Sequence, residues 1–219
     1  MKFFLDTADI AKIREVVGWG ILDGVTTNPT LIAKEKKDFR SVIRELCDIV
    51  PGDVNAEVLA TDMDGILKEA RELAQFHNKI VVKIPLTREG VKAGKVLSQE
   101  NIRLNYTLIF SANQALIAAK IGARFVTPFV GRLDSVGHNG MELIQQIRAI
   151  IDNYKFSMEI VVGSIRHPAH VLESALLGAD IATMPYATME NLFQHPMTDL
   201  GLSAFLKDWQ DFQNSMKKS

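Results

Sequence analysis

One lysine stands inside an otherwise apolar segment, IVVKIP at residues 80–85. The isoleucines and valines predict a buried strand, which Pro85 ends. Lysine is rarely buried without a partner or a purpose. Because burial disfavours a charged amine and an uncharged amine is a nucleophile, Lys83 is a candidate nucleophile. The alternative is a strand-end lysine whose ammonium group reaches solvent.

Two acidic residues take comparable positions in other predicted strands. Glu57 lies within the apolar segment 54–59, and Asp6 directly follows the strand at 3–5. A lysine amine that attacks a ketone forms an iminium, which draws electrons from a neighbouring carbon–carbon bond as that bond breaks. Glu57 and Asp6 are the candidates for the proton transfers of such a reaction. Asp6 could instead cap the first helix.

The elements that must position these residues alternate between strand and helix along the whole chain. Predicted helices lie at 10–17, 42–49, 63–76, 90–97, 113–121, 141–151 and 168–177. Residues 24–29 are predicted to form the second strand and its exit turn, and the other predicted strands are 3–5, 54–59, 80–84, 103–110, 125–130, 159–164 and 180–185. Repeated strand–helix units require a parallel sheet with helical crossovers.

The length of 219 residues suits eight such units closed into a (β/α)₈ barrel of the TIM type. The alternative is an open, doubly wound sheet, which usually carries a glycine-rich loop after its first strand. Residues 5–8, LDTA, contain no glycine. We therefore predict an α/β fold with a single (β/α)₈ barrel domain over residues 1–219.

An extra helix follows the eighth strand, so residues 190–219 are predicted to be a C-terminal helical extension. Its apolar residues recur at helical spacing, namely Leu202, Phe205, Leu206, Trp209, Phe212 and Met216. The helix either covers its own barrel or contacts a neighbouring molecule. The stripe is more apolar than a terminal surface helix needs, which favours assembly.

The carboxyl ends of barrel strands converge on one mouth, where barrel enzymes carry their chemistry. Besides Asp6, Glu57 and Lys83, the residues predicted there are Thr26, Asn28, Asn105, Thr107, Thr127, Phe129, Ser164 and Arg166. Arg132 and Arg166 follow the sixth and seventh strands, a common phosphate-binding region. Asn28 and Ser164 could instead serve a turn or a helix cap, and the arginines could form surface ion pairs.

Composition excludes several other classes of function. A net charge of −1 gives no reason to expect nucleic acid or a membrane surface as a partner. Cys47 is the only cysteine, which rules out an intrachain disulfide and fits a reducing compartment, so a cytoplasmic protein is expected. His167 and His170 are too few for a metal site. The segment 90–96, GVKAGKV, is one residue short of a P-loop and lacks its Ser or Thr.

Six short motifs together resemble the transaldolase family. They are FLDTA at 4–8, GVTTNPT at 24–30, VKIP at 82–85, NYTL at 105–108, PFVGR at 128–132 and SIR at 164–166. The resemblance covers essentially the whole chain and is closest to the small-subunit branch, which also contains the fructose-6-phosphate aldolases. It implies no cofactor, sugar phosphates as substrates, and self-association as a homodecamer of two pentamers in which the C-terminal helix reaches a neighbour.

The resemblance also implies a role for each candidate residue. Lys83 would be the Schiff-base lysine, Asp6 an acid/base residue, and Thr107 would help Glu57 to hold the catalytic water. Arg132 and Arg166 would bind phosphate. The dihydroxyacetone unit would be held by Thr26, Asn28, Asn105 and Ser164. Thr127 stands where larger transaldolases commonly have serine, which keeps the hydroxyl.

Two positions distinguish the two branches of this family. Aldolase members carry Gln where this chain has Glu57, and Tyr where it has Phe129. A tyrosine hydroxyl can help to protonate the bound carbanion and so release free dihydroxyacetone, whereas Phe129 cannot. The resemblance therefore implies a transaldolase of the pentose phosphate pathway, which transfers dihydroxyacetone from sedoheptulose 7-phosphate to glyceraldehyde 3-phosphate. Free aldol cleavage remains the alternative, and a barrel used only for binding is a more distant one.

Overall fold

Eight parallel strands close into a barrel in chain order in a computed structural model that describes residues 1–36 and 38–217. The strands are β1 (Lys2–Asp6), β2 (Gly24–Thr26), β3 (Asp53–Glu57), β4 (Ile80–Pro85), β5 (Leu104–Ile109), β6 (Phe125–Pro128), β7 (Glu159–Val162) and β8 (Ile181–Met184). β1 pairs in parallel with both β2 and β8, which closes the sheet. The (β/α)₈ barrel is confirmed, and the open sheet is excluded.

Helices follow every strand and surround the barrel. They are α1 (Ile10–Gly18), α2 (Pro29–Lys34), α3 (Phe39–Ile49), α4 (Met63–Phe76), α5 (Arg88–Gln99), α6 (Ala112–Ile121), α7 (Val130–Asp134), α8 (Gly140–Tyr154), α9 (Pro168–Leu176), α10 (Tyr186–Asn191) and α11 (Pro196–Met216). Side-chain caps start most of them, including Asp9 on α1 and Ser111 on α6.

The short helices α2, α7 and α10 were not predicted, because five or six residues are too few to show a helical period. Three predicted strands extend two residues too far. The strand predicted at 54–59 ends at Glu57, and the one at 125–130 ends at Pro128 because Val130 begins α7. The segment predicted at 24–29 as a strand and its exit turn is strand up to Thr26, and Asn28 then caps α2. The strand predicted at 159–164 ends at Val162, before Ser164 takes a left-handed backbone.

The inside of the barrel has an apolar floor made of Phe4, Val81, Phe125, Val161 and Ile181. The rings of Phe4 and Phe125 meet edge to face with their centroids 6.5 Å apart. A second, larger core lies between the strands and the helices.

Above the floor the barrel interior turns polar. Side chains two residues apart on a strand share a face, so Asp6 follows Phe4, Lys83 follows Val81 and Thr127 follows Phe125. Thr183 follows Ile181 in the same way. The strand period therefore places one polar layer directly over the apolar floor, at the carboxyl ends of the strands.

Helix α11 lies outside this packing, and no residue of it is buried. Its apolar stripe, Leu202, Phe205, Leu206, Trp209, Phe212 and Met216, is 51–74% exposed. The alternative that the helix covers its own barrel is therefore wrong for the described residues. Residues 218 and 219 of the predicted extension are not among the residues that the structure describes. Among the described residues, no helix is long and apolar enough to cross a membrane.

Candidate active site

Lys83 lies inside the barrel with only 3% of its surface exposed. Its Nζ is 3.1 Å from Oε2 of Glu57 and donates a hydrogen bond of 3.1 Å to the carbonyl oxygen of Thr27. The parallel register of β3 and β4 pairs Glu57 directly with Lys83. The amine therefore points into the barrel beside a carboxylate, and the alternative in which it reaches solvent is wrong.

Asp6 faces the same interior from β1. Thr26 donates a hydrogen bond of 2.8 Å to Oδ1 of Asp6, and the hydroxyls of Thr26 and Thr183 are 2.6 Å apart. Burial raises the pKa of the Asp6 carboxyl above its usual value, against the opposing effects of the Lys83 charge and the Thr26 hydrogen bond. Because Asp9 caps α1, Asp6 does not cap that helix. A carboxyl with a raised pKa is suited to exchange protons with a bound molecule.

A chain of buried hydrogen bonds crosses the polar layer through two asparagines. Thr127 donates to Oδ1 of Asn105 at 2.7 Å, and the Asn105 amide donates to Oδ1 of Asn55 at 2.8 Å. The Asn55 amide in turn donates to the carbonyl oxygen of Val25 at 3.3 Å. Each amide is thus held in one orientation.

Sequence reasoning missed two members of the polar layer, Asn55 and Thr183. A signal for Asn55 was present, because it lies two residues before Glu57 and so shares its face of β3. Thr183 is likewise a polar residue in an apolar strand, IATM at 181–184.

Thr107 lies at an irregularity in β5. The pairing with β6 shifts between Tyr106 and Ile109, and Leu108 adopts a φ of 57°. Such bulges re-aim side chains next to sites. The buried Thr107 hydroxyl has no hydrogen-bond partner in the part of the chain that the structure describes. It is free to bond to a substrate or a water.

A cavity of about 380 Å³ opens at the barrel mouth and brings together Asn28, Glu57, Thr107, Phe129 and Arg132. The alternative for Asn28 was a role in the Asn-Pro turn; its Oδ1 caps α2, which begins at that proline, and its side chain also lines the cavity. Phe129 packs edge to face on the ring of Phe110, with their centroids 6.0 Å apart. The Arg132 guanidinium lies 4.9 Å from the centre of the Phe129 ring.

Ser164 and Arg166 lie on the loop between β7 and α9, which contacts α7. Gly131 donates a backbone hydrogen bond of 3.2 Å to the carbonyl oxygen of Ser164, whose φ of 59° is a left-handed, strained conformation. A Cβ on Gly131 would lie 2.8 Å from Nε of Arg166, so the arginine stem crosses this glycine. His167, not Ser164, caps α9.

The predicted residues therefore fall into three groups. Asp6, Thr26, Lys83, Asn105 and Thr127 form the polar layer. The residues that line the cavity make up the second group, in which Glu57 also contacts Lys83. Ser164 and Arg166 lie beside α7. Neither Arg132 nor Arg166 forms an ion pair within the described residues, contrary to the alternative considered for them.

No group of three or more His, Cys, Asp or Glu in the described ranges could hold a metal ion.

This fold and site define a (β/α)₈ barrel with a lysine-centred polar site at the carboxyl ends of its strands, where barrel enzymes carry out their chemistry. A family model described as transaldolase/fructose-6-phosphate aldolase matches residues 3–218. The chain belongs to this family.

Relatives named probable transaldolase match this chain over nearly their full lengths. The protein from Petrotoga mobilis is 53% identical over 217 residues, which are 99% of this chain and 98% of the relative. The one from Methanococcus maripaludis is 56% identical over 214 residues, 98% of this chain and 100% of the relative. The one from Aquifex aeolicus is 55% identical over 210 residues, 96% and 97% of the two chains. The family and these names indicate a transaldolase-type enzyme.

Two solved structures share the fold at low sequence identity. Inosine 5′-monophosphate dehydrogenase from Legionella pneumophila superposes with a TM-score of 0.60 at 14% identity, over 86% of this chain and 58% of that one. A mandelate oxidase gives a TM-score of 0.58 at 14% identity, over 81% of this chain and 59% of that one. These likenesses concern the barrel alone.

The raised pKa of Asp6 predicts a stability cost for its charge. The folded protein holds the Asp6 proton more tightly than the unfolded chain does, so stability falls as pH rises above the unfolded pKa of about 3.9. The uncharged side chain in Asp6→Asn avoids this loss. We expect the melting temperature of the variant, relative to the parent, to increase between about pH 4 and about pH 7.

Asp9→Asn provides a control of opposite sign. Burial is the largest single effect and raises the pKa of Asp9, but the backbone hydrogen bond, side-chain hydrogen bond and charge of Lys12, together with the backbone hydrogen bond from Ala11, outweigh it and lower the pKa. Its variant should lose melting temperature relative to the parent as pH rises from below the lowered folded pKa of Asp9 to just above the unfolded value of about 3.9, with little further change up to about pH 7. Calorimetry measures the difference in melting temperature between each variant and the parent as pH rises. If this difference changes in the same direction for Asp6→Asn and Asp9→Asn, the account is contradicted.

Proposed function

We propose that this protein is a transaldolase of the pentose phosphate pathway that works through a Schiff base on Lys83. It would move a dihydroxyacetone unit from sedoheptulose 7-phosphate to glyceraldehyde 3-phosphate, giving erythrose 4-phosphate and fructose 6-phosphate. The observation that carries the proposal is the buried Lys83 amine, 3.1 Å from Glu57. The lone Cys47, which is buried, is compatible with the cytoplasmic setting that the proposal includes.

The reaction begins when Lys83 passes a proton to Glu57 and its free amine attacks the ketone carbon of the donor sugar. Loss of water, with Glu57 returning the proton to the departing oxygen, gives the iminium. Asp6 then takes the proton of the hydroxyl on the β-carbon, and the bond between the α- and β-carbons breaks. An aldehyde leaves, and the bonding electrons pass into an enamine on Lys83.

The second half reverses these steps on a new aldehyde. The enamine carbon attacks the acceptor carbonyl, and Asp6 returns its proton to the new hydroxyl. Water, oriented by Glu57 and the unpaired hydroxyl of Thr107, adds to the iminium and releases the product ketose. Thr26, Asn28, Asn105, Thr127 and Ser164 hold the hydroxyl groups of the three-carbon unit. The fixed amide orientations in the Asn55–Asn105 chain support this assignment, because they need no rearrangement on binding.

Phe129 favours transfer over release in this scheme. Its ring lines the cavity, and it supplies no proton to the enamine carbon. The three-carbon unit therefore stays bound until an aldehyde captures it. The names of the relatives support the same choice. The second candidate is a fructose-6-phosphate aldolase, which would release free dihydroxyacetone without an acceptor.

The dependence of turnover on an acceptor separates these two functions. We expect fructose 6-phosphate to be consumed rapidly only when erythrose 4-phosphate is supplied. Phe129→Tyr should raise free dihydroxyacetone release relative to transfer, because its hydroxyl can protonate the enamine, and adding Glu57→Gln should raise it further. A coupled assay that detects free dihydroxyacetone measures this release in the parent protein and in the variants.

Phe110→Tyr is the matched control, since it adds a hydroxyl to the ring that packs against Phe129 but does not line the cavity. It should leave the ratio of release to transfer unchanged. Equal rates with and without acceptor in the parent protein would favour the aldolase.

Arg132 and Arg166 are proposed to bind the substrate phosphate. Two observations support this assignment. Arg132 on α7 and Arg166 on the loop between β7 and α9 lie on segments that contact each other, and neither arginine forms an ion pair among the described residues. Replacing either by Ala should raise KM for phosphorylated sugars about tenfold to a hundredfold, as expected for a charge-assisted hydrogen bond of about 1.5–3 kcal/mol. Unphosphorylated sugars should be affected much less in steady-state kinetics.

Arg124→Ala is a suitable control, because Arg124 precedes the same strand, β6, at the opposite end of the barrel and pairs with Glu159 at 2.7 Å. It should leave KM for both substrate classes unchanged. Equal losses on both classes in the Arg132 and Arg166 variants would mean that these arginines are structural.

Helix α11 is proposed to contact a second copy of the chain in a ring-shaped pentamer that pairs into a decamer. A contact between unlike surfaces closes into a ring when the rotation between copies allows it. The support is the exposed apolar stripe along a helix with no buried residue.

Truncation after Gly201 removes this stripe. The shortened protein should form smaller species in light scattering, or be insoluble. Trp209→Ser should weaken assembly in the full chain, whereas the neighbouring polar change Gln210→Ser should not. A soluble truncated protein that keeps the assembly state of the full-length chain would contradict the proposal.

A further inference from the structure

A buried histidine joins the two segments that carry Arg132 and Arg166. His170 on α9 is 5% exposed, and its Nε2 lies 2.9 Å from Oδ2 of Asp134, the last residue of α7. Arg132 lies on α7, two residues before Asp134. Arg166 lies four residues before His170, on the loop that leads into α9. The contact between His170 and Asp134 thus connects the two segments that carry the proposed phosphate-binding arginines.

The hydrogen bonds of His170 define its protonation state. The backbone N–H of Arg166 donates to Nδ1 at 3.3 Å, so Nδ1 is the unprotonated nitrogen and Nε2 carries the hydrogen directed at Asp134. Burial and the adjacent His167 ring, 3.8 Å away between centroids, lower the pKa of His170, against the opposing charges of Asp134 and Glu173. The neutral ring is therefore an acceptor toward one segment and a donor toward the other.

Asp134 is fixed from its other side. Its Oδ1 accepts a hydrogen bond of 2.9 Å from the backbone N–H of Gly140, the first residue of α8. A Cβ on Gly140 would lie 2.5 Å from the carbonyl oxygen of Val130, so α8 also packs tightly on the start of α7. Three hydrogen bonds in series thus run from α8 through Asp134 and His170 to the backbone of Arg166.

We propose that His170 and Asp134 are positioning residues that set the separation of Arg132 and Arg166, and thereby set the preference for phosphorylated over unphosphorylated sugars. This inference rests on the proposed phosphate-binding role of the two arginines. Neither positioning residue lines the cavity at the barrel mouth. Two cations bind one phosphate well only when both are held at the right distance and direction.

The position of the bonds predicts a specific kinetic signature. Loss of the link keeps both guanidinium groups and the backbone bond from Gly131 to Ser164, but it lets the end of α7 shift relative to the start of α9 and so changes the separation of the two guanidinium groups. KM for fructose 6-phosphate should rise about fivefold to twentyfold. KM for fructose should change less than twofold, and so should kcat with either donor, because the polar layer around Lys83 is unchanged.

Conservative variants separate the two bonds of the imidazole. His170→Asn keeps an acceptor near the position of Nδ1 and loses the bond to Asp134, whereas His170→Gln keeps a donor near Nε2 and loses the bond to Arg166. Asp134→Asn is nearly isosteric and no longer fixes the tautomer, and it serves as the second test if the histidine variants do not fold.

Ser174→Ala is the matched control. Ser174 is buried on the same helix and donates a hydrogen bond of 2.6 Å to the carbonyl oxygen of His170, so its loss weakens α9 without removing the link. The experiment measures kcat and KM with erythrose 4-phosphate as acceptor and either fructose 6-phosphate or fructose as donor. The KM effect on the phosphorylated donor should appear in all three link variants and be absent in Ser174→Ala.

Arg166→Ala distinguishes a failure of this inference from a failure of the proposed function. If Arg166→Ala leaves KM for fructose 6-phosphate unchanged, the phosphate assignment itself is wrong. If Arg166→Ala raises it but the link variants act like Ser174→Ala, or change both donors equally, the positioning role is overturned. In the Arg166→Ala background, His170→Asn should add little further loss, because the two changes act on one interaction.

Discussion

The structure depends on how a lysine charge is held inside an apolar barrel. Removing an ammonium group from water is costly, and a buried pair that loses one partner is destabilised by about 3–5 kcal/mol. Lys83 meets this constraint with two contacts, the Glu57 carboxylate and the Thr27 carbonyl oxygen, each at 3.1 Å. Glu57 lies on the neighbouring strand β3 and Thr27 directly follows β2, so the position of the reactive amine depends on closure of the barrel.

The rest of the site follows from the two-residue period of the strands. Phe4, Val81 and Phe125 seal the lower part of the barrel, and the residues two positions later face the mouth. The floor keeps the polar layer on one side only, which concentrates the acid, base and amide groups around one amine. Outside this layer, the link from Asp134 through His170 brings the later loops together around the proposed phosphate site.

The sequence was sufficient to predict the barrel and to place Lys83 and Glu57 inside it, because long periodic segments and charged residues in apolar strands are strong signals. It was insufficient where the cause is a contact distant in sequence. Helix α7 is only five residues long, and its position depends on bonds to the loop after β7. Asn55 could have been found from its shared face with Glu57. The His170–Asp134 pair could not, because 36 residues separate its members and only tertiary packing joins them.

Trapping of the covalent intermediate tests the central claim most directly. Borohydride added with fructose 6-phosphate should reduce the iminium and leave a three-carbon unit on a peptide that contains Lys83, as detected by mass spectrometry. Lys83→Arg should remain unlabelled, because a guanidinium stays protonated and cannot attack. Lys79, whose Nζ donates to two backbone carbonyls, and Lys92 on α5 are the nearby lysines for comparison. Label on either of them in place of Lys83 would contradict the account.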